Sequence, residues 1–162
     1  DDTIQIQIEK KIPIVTTFAP LVMQANEEVA RKFNIPEWKI EERKKAVANP
    51  SRYTGLVNAA KAGVPIAFGT DAGSPAVGHE IVAPELKFMV KIGVVTDNYA
   101  ALRSATIVAA RISKLDSKIG TLEAGKDADL IVIDGNPLAD LDALERVQAT
   151  YIAGKQMIGV GD

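Results

Sequence analysis

Two short apolar runs separated by a long helical stretch constrain the fold of this chain more than any other feature. The runs are Ile12 to Phe18 (IPIVTTF) and Val64 to Phe68 (VPIAF), both typical of buried strands. Between them, Pro20 to Ala62 has helical character and is interrupted at Asn49-Pro50. Uniformly apolar strands that alternate with helices indicate right-handed βαβ units and a parallel sheet. The pattern therefore predicts an α/β fold.

Helices are also predicted on both sides of these strands. A short helix is expected over Thr3 to Lys11, and another over Val82 to Ile92. A longer helix, with Thr96 or Asp97 as its N-cap, is expected to run to Ile112, because apolar residues recur there at steps of three and four. Within the long helical stretch, the charged segment EERKK at residues 41–45 is interpreted as a solvated helix face.

The pattern changes beyond Gly120. Three candidate strands follow: Leu130 to Asp134, Val147 to Ala153 and Lys155 to Ile158. Glycine-containing turns separate them, which favours a small antiparallel sheet distinct in style from the βα region.

The size and charge of the chain exclude several classes of protein. Its 162 residues, 47% of them hydrophobic, suffice for one ordinary domain with a core. A net charge of -2 with mixed acids and bases argues against nucleic-acid binding. No apolar run approaches the roughly 18 residues of a membrane span, and no signal peptide is evident, so we expect a cytoplasmic protein. Because cysteine is absent, any metal must use nitrogen or oxygen ligands. The first residue is Asp1, which suggests a longer parent protein.

Asp71 is the main candidate for chemistry. The segment Gly69-Thr70-Asp71-Ala72-Gly73 follows the second strand directly, so Asp71 is expected at the carboxyl end of a parallel strand, where α/β enzymes place catalytic groups. A carboxylate there could ligate a divalent metal or act as a general base. It could equally cap a turn, as aspartates in glycine-rich loops often do. Spacing alone leaves both interpretations open.

Other polar residues near Asp71 are weaker candidates. His79 is the single histidine, and a catalytic zinc site needs about three protein ligands, so substrate contact is its better functional interpretation. Glu80 and Glu85 could join Asp71 in an all-oxygen Mg²⁺ or Ca²⁺ site. Both fit at least as well as acids of a first helical turn, where the helix dipole favours negative charge.

Three stretches together resemble the C-terminal portion of the amidohydrolase superfamily, particularly its imidazolonepropionase-like and prolidase-like members. They are VPIAFGTDAG at residues 64–73, the helix segment with Ala105-Thr106 and Ala109 to Arg111, and IGTLEAGKDADLIVIDGNPL at residues 119–138. The closing ATYIAGKQM at residues 149–157 is similar to the family's terminal hairpin. The resemblance covers nearly the whole chain.

The resemblance implies a specific architecture. Residues 1–118 would form the seventh and eighth strands, with their helices, of a (β/α)8 TIM-type barrel, and residues 119–162 would supply the C-terminal strands of a small β-sandwich. Asp71 would be the metal-site aspartate that also shuttles protons, and His79 would lie in a loop over the active site. The helix motif departs from the family at Val108 and Lys114, and Glu80 stands where glycine is common, which weakens the inherited role of His79.

The resemblance also implies that the metal site is incomplete in this chain. The family's other ligands, a His-x-His pair among them, lie on earlier strands and are absent here. The expected function is metal-dependent hydrolysis of a C–N bond in a small peptide-like or cyclic amide, with Zn²⁺ as the expected metal of the full-length parent and none held stoichiometrically by this chain alone. A homo-oligomer, or a requirement for the missing N-terminal part, is expected. The alternative is a non-catalytic binding or assembly module that keeps the scaffold.

Overall fold

Short helices and two small sheets make up the structure, a computed structural model that describes residues 2–159. Asp1 and the last three residues of the predicted sandwich segment, 160–162, lie outside the described residues. The helices are α1 (Asp2–Glu9), α2 (Ala19–Ala25), α3 (Glu27–Lys32), α4 (Glu37–Ala48), α5 (Thr54–Lys61), α6 (Val82–Lys91), α7 (Asn98–Arg103) and α8 (Ala109–Ile112). The strands are β1 (Ile14–Thr16), β2 (Ile66–Phe68), β3 (Leu130–Ile133), β4 (Val147–Ile152) and β5 (Lys155–Gly159).

The parallel pairing predicted from the two apolar runs is confirmed. β1 and β2 pair in parallel, with Ile14 opposite Ile66 and Thr16 opposite Phe68. Both strands are shorter than predicted, three residues each. Each run begins beside a proline that lacks the N–H needed for a ladder. The first run also ends early, because Phe18 already has helical backbone angles at the start of α2.

The stretch between the two strands forms several helices. Asn49 ends α4 as predicted, and a 3-10 helix, Pro50–Tyr53, precedes α5. A break at Asn26 was not predicted, although its cause is local. The Asn26 side chain accepts a hydrogen bond from the Val29 N–H at 3.2 Å and so caps the start of α3.

The long helix is confirmed, with one irregularity. The Asp97 side chain accepts a hydrogen bond from the Ala100 N–H at 2.8 Å and caps α7. A π-helical segment, Ser104–Val108, joins α7 to α8. The buried Ser104 hydroxyl donates to the Ala101 carbonyl at 2.6 Å inside this helix. No described helix has the length and apolar character required to cross a bilayer.

The three C-terminal strands form the predicted antiparallel sheet, in the order β3-β4-β5. The sheet is joined to the rest of the molecule through the 3-10 helix Leu141–Glu145. Leu141 is buried in the same cluster as Ile66, Leu86 and Met89. An ion pair between the Lys87 ammonium and the Asp142 carboxylate, 2.7 Å, crosses the same contact. The boundary predicted at residue 119 stays a prediction, and one core spans it.

The interpretation of Glu85 as an acid of a first helical turn is confirmed, since it lies in the first turn of α6, and it is also the one acidic side chain buried among residues 2–159. It is fully buried in α6, and its Oε1 accepts a hydrogen bond from the Phe18 N–H at 2.9 Å. Its Oε2 has no hydrogen-bond partner among the described residues. Burial raises the pKa of Glu85 from 4.5 to about 7, although the Phe18 N–H favours the charged form. The residue therefore links α6 to the end of β1.

We expect the stability of the chain to depend on pH through Glu85. The unfolded chain releases this proton near pH 4.5, whereas the folded chain keeps it to about pH 7. The folded state therefore binds more protons between these values, so the free energy of unfolding falls as pH rises through them, by about 3 kcal/mol, and stays lower above pH 7. Urea unfolding at pH 5 and pH 8 measures this change.

The variant Glu85→Gln isolates the effect, because the amide cannot ionise. We expect this variant to lose most of the fall in stability between pH 5 and pH 8 that the unmodified chain shows. The matched control is Glu145→Gln, since Glu145 is an exposed glutamate. An unchanged pH profile in Glu85→Gln would contradict the burial argument.

Candidate functional site

Asp71 lies where the sequence placed it, directly after β2 at the carboxyl edge of the parallel sheet. It is exposed, and its backbone is left-handed, with φ of 56°, a conformation that aspartate tolerates better than most residues. Its carbonyl accepts a hydrogen bond from the Ser74 N–H at 3.2 Å, which closes a turn. The Asp71 carboxylate itself makes no hydrogen bond or ion pair with another side chain among the described residues.

The close contact between the ends of β1 and β2 explains why residue 69, before this turn, is a glycine. A Cβ at this position would lie 2.8 Å from both the Thr16 carbonyl oxygen and Val15 Cγ1. Real Cβ atoms do not approach other atoms that closely, so only glycine lets the end of β2 lie against the end of β1. The close approach brings the loop of Asp71 beside Thr17 and Phe18.

A cavity of about 390 Å³ opens beside Asp71. It is formed by the loop after β1, the start of α2, the helix α4, the 3-10 helix after it and α5. Its lining residues are Thr17, Phe18, Pro20, Leu21, Arg43, Arg52, Tyr53, Leu56 and Asp71. The sequence predicted Asp71 at the carboxyl end of a parallel strand and did not predict the other residues of this cavity.

Three aromatic rings fix the inner wall of the cavity. Phe18, Tyr53 and Phe88 contact one another edge to face, with ring centroids 5.2 to 5.8 Å apart. The Tyr53 hydroxyl donates to the Ala46 carbonyl at 2.8 Å, and burial raises the pKa of Tyr53. These contacts hold the end of β1, the 3-10 helix and α6 in fixed positions around the site.

Arg43 corrects the interpretation of EERKK as a wholly solvated helix face. Its side chain is only 26% exposed and lines the cavity. Its Nε–H donates to Gln24 Oε1 at 3.3 Å, and Gln24 Nε2 donates to the Pro75 carbonyl at 3.1 Å. Gln24 is buried, so this chain of contacts ties the arginine to the loop that follows Asp71. Helical spacing could have shown it, because Ile40, which is fully buried, lies three residues earlier on the same face.

His79 and Glu80 are exposed and do not line the cavity beside Asp71. Contact of His79 with substrate stays a prediction. Glu85, a few residues further along the chain, does reach the carboxyl end of the sheet. It is buried there and accepts a hydrogen bond from the Phe18 N–H.

The described residues supply one candidate metal ligand and not a complete site. Residues 2–159 contain no group of three or more histidine, aspartate or glutamate side chains placed to hold a metal ion. Asp71 suits one position of such a site, because its carboxylate is exposed at the sheet edge and offers hard oxygen donors.

Comparison with known proteins identifies the family of this chain. The sequence model of the amidohydrolase family matches residues 17–157. A 5-methylthioadenosine/S-adenosylhomocysteine deaminase from Symbiobacterium thermophilum is 40% identical over 88 residues, which is 50% of this chain and 20% of the deaminase.

Solved structures of the same architecture are also similar. A Xaa-Pro dipeptidase crystallised with methionine in its active site aligns with a TM-score of 0.69 and 31% identity, over 98% of this chain and 37% of the dipeptidase. A structure described as a putative prolidase, from Bifidobacterium longum, aligns with a TM-score of 0.69 and 33% identity, over 87% of this chain and 33% of that protein.

The chain thus spans between a fifth and two fifths of the length of these relatives. The family match extends from the end of β1 into β5 and includes Asp71, its cavity and the small antiparallel sheet. This chain belongs to the amidohydrolase family.

Proposed function

We propose that this chain is the C-terminal part of a metal-dependent amidohydrolase that hydrolyses a C–N bond, with Asp71 as its catalytic carboxylate. The position of Asp71 carries the proposal: this aspartate follows the carboxyl end of a parallel strand, lies within the family-matched stretch 17–157, and lines a cavity. A turn-capping role alone does not account for a free carboxylate at this edge.

The open edge of β1 in the described sheet supports the proposal that further strands complete a barrel. β1 pairs only with β2 among the described strands, and two strands cannot close a barrel. Apolar side chains are left in solvent on and near β1, with Val15 53% exposed and Ile12 43% exposed. Preceding strands in the full-length protein would cover them and donate the remaining metal ligands.

The proposed chemistry assigns proton transfer to Asp71. A bound divalent metal, zinc being our expectation, would polarise the scissile carbonyl and make water a better nucleophile near neutral pH. The Asp71 carboxylate would ligate the metal through one oxygen, accept the proton of the attacking water and pass it to the leaving nitrogen. Its exposed position at the cavity leaves room for substrate on one side.

We propose a small peptide-like or cyclic amide as substrate. The dipeptidase named for Xaa-Pro substrates and the structure described as a putative prolidase are similar to this chain along most of its length. A deaminase relative also acts at a C–N bond, although it covers only half of the chain. Contact between His79 and the substrate remains part of this proposal.

Replacement of the catalytic carboxylate tests the assignment. In the metal-loaded full-length protein, Asp71→Asn should lower kcat at least about a hundredfold, because the amide cannot accept the proton of water. Asp116→Asn is the matched control, since Asp116 is exposed and lies outside the cavity. Turnover near that of the unmodified enzyme in Asp71→Asn, with metal bound, would show that Asp71 is not the proton carrier.

The metal content of the purified 162-residue chain tests whether it holds a complete metal site by itself. We expect elemental analysis to find no stoichiometric zinc in the purified 162-residue chain and bound zinc in the full-length protein, because the chain offers Asp71 without a cluster of further ligands among residues 2–159. Tight zinc and hydrolase activity in the 162-residue chain alone would contradict the division of the site. A full-length protein with no metal affinity would favour the non-catalytic module.

The open edge of β1 predicts self-association of the isolated chain. Light scattering should show oligomers, because an unpaired strand with exposed apolar side chains offers backbone partners to other molecules. Val15→Lys should reduce association, whereas Trp38→Lys, which alters an even more exposed apolar residue on α4, should not. A monodisperse monomer of the unmodified chain would contradict this prediction.

A further inference from the structure

We propose that Arg43 and Arg52 form an anion subsite in the cavity beside Asp71 and bind a carboxylate of the substrate. The inference rests on the proposed function and narrows it to amides that carry a free carboxylate and an apolar side chain. Both guanidinium groups line the same cavity as Asp71, on its α4 and 3-10 helix walls.

Arg43 is a largely buried cation without a close anionic partner. The side chain is 26% exposed, and among residues 2–159 its nearest ion-pair oxygen is that of Glu42, 3.9 Å away. Glu42 is adjacent in sequence and 57% exposed, so it neutralises the buried charge poorly. Burial of an arginine is favourable only where an anion compensates it. A ligand carboxylate in the cavity would supply that compensation.

The contacts of Arg43 leave its charge available. Among residues 2–159, the hydrogen bond of the guanidinium is to a neutral group: Nε donates to Gln24 Oε1 at 3.3 Å. This bond orients the group, and the terminal nitrogens, of which Nη1 lies 3.9 Å from the exposed Glu42 carboxylate, remain within hydrogen-bond reach of a ligand in the fork geometry that matches a carboxylate. Gln24 is itself held by the Pro75 carbonyl, so the subsite and the Asp71 loop are positioned by one buried side chain.

Arg52, in the 3-10 helix Pro50–Tyr53, adds a second positive charge to the lining of the cavity. It is exposed, and no ion-pair partner is found for it in the described part of the chain. Its charge acts on the Tyr53 hydroxyl, where it opposes the rise in the pKa of Tyr53 caused mainly by burial. Two guanidinium groups and one carboxylate, that of Asp71, leave the cavity positive.

The rest of the cavity indicates what accompanies the carboxylate. Phe18, Leu21 and Leu56 contribute an apolar wall, and the volume of about 390 Å³ suits a small molecule. An N-acylated amino acid with an apolar side chain matches these surfaces: its carboxylate faces the arginines, its side chain the apolar wall and its amide bond Asp71.

A binding experiment without turnover tests the subsite. The full-length protein, with no added metal, is titrated by calorimetry with N-acetyl-L-leucine and with N-acetyl-L-leucinamide, which differ in the carboxylate. We expect the acid to bind about tenfold more tightly than the amide, because charge-assisted hydrogen bonds are stronger than neutral ones. Arg52→Gln and Arg43→Gln should each remove most of this preference, so that each variant binds the acid and the amide with similar affinity.

Arg111→Gln is the matched control. Arg111 is also exposed, and it lines a different cavity beside Pro13 and Pro65, at the amino ends of the strands. The preference for the acid should survive this change. Because Arg43 is partly buried, Arg52→Gln keeps the test valid if Arg43→Gln fails to fold. Equal affinity for acid and amide, or equal losses in all three variants, would overturn the subsite.

Failure of the subsite and failure of the hydrolase proposal give different results. A preference for the acid that depends on both arginines, in a protein without hydrolase activity, would support the subsite while the proposed function failed. Hydrolysis that is confirmed by the loss of activity in Asp71→Asn, but equally fast on neutral amides and insensitive to Arg52→Gln, would retain the proposed function and reject the subsite.

Discussion

The parallel pairing of β1 with β2 is the constraint on which the rest of the structure depends. With Ile14 opposite Ile66 and Thr16 opposite Phe68, the two strands end together, and Gly69 allows their ends to lie in contact. Because parallel strands present their carboxyl ends at one edge, the loops that follow them share a surface. Asp71 and the residues around Phe18 therefore meet, although they are distant in the sequence.

Contacts with the neighbouring helices then fix the carboxyl edge of the parallel sheet. Glu85 reaches from α6 to the Phe18 N–H, and the rings of Phe18, Tyr53 and Phe88 pack edge to face around the same point. Burial of the Glu85 carboxyl lowers stability, because one of its oxygens has no hydrogen-bond partner among residues 2–159. The same burial raises the pKa of Glu85 to about 7. Its hydrogen bond to the Phe18 N–H holds the backbone at the end of β1 beside the cavity.

The sequence predicted the parts of the fold that local pattern determines. The parallel strands, the Asp97 cap and the antiparallel C-terminal sheet follow from apolar runs, capping residues and turns, and Asp71 follows from its place after a strand. The buried role of Glu85 and the cavity position of Arg43 depend on contacts with residues far away in the chain. For Glu85 the sequence pattern offered no indication of these contacts. For Arg43 the helical spacing from Ile40 indicated a position facing the interior, but its charged neighbours in EERKK favoured a solvated face.

The membership of the chain in the amidohydrolase family gives these local features a common setting, in which two parallel strands present one carboxylate to a cavity. The most direct test is a crystal structure of the full-length protein with zinc bound. The account predicts an Asp71 oxygen about 2.0 to 2.2 Å from the metal, with the other ligands donated by residues that precede this chain. A metal held entirely by other residues, with Asp71 turned away from it, would contradict the account.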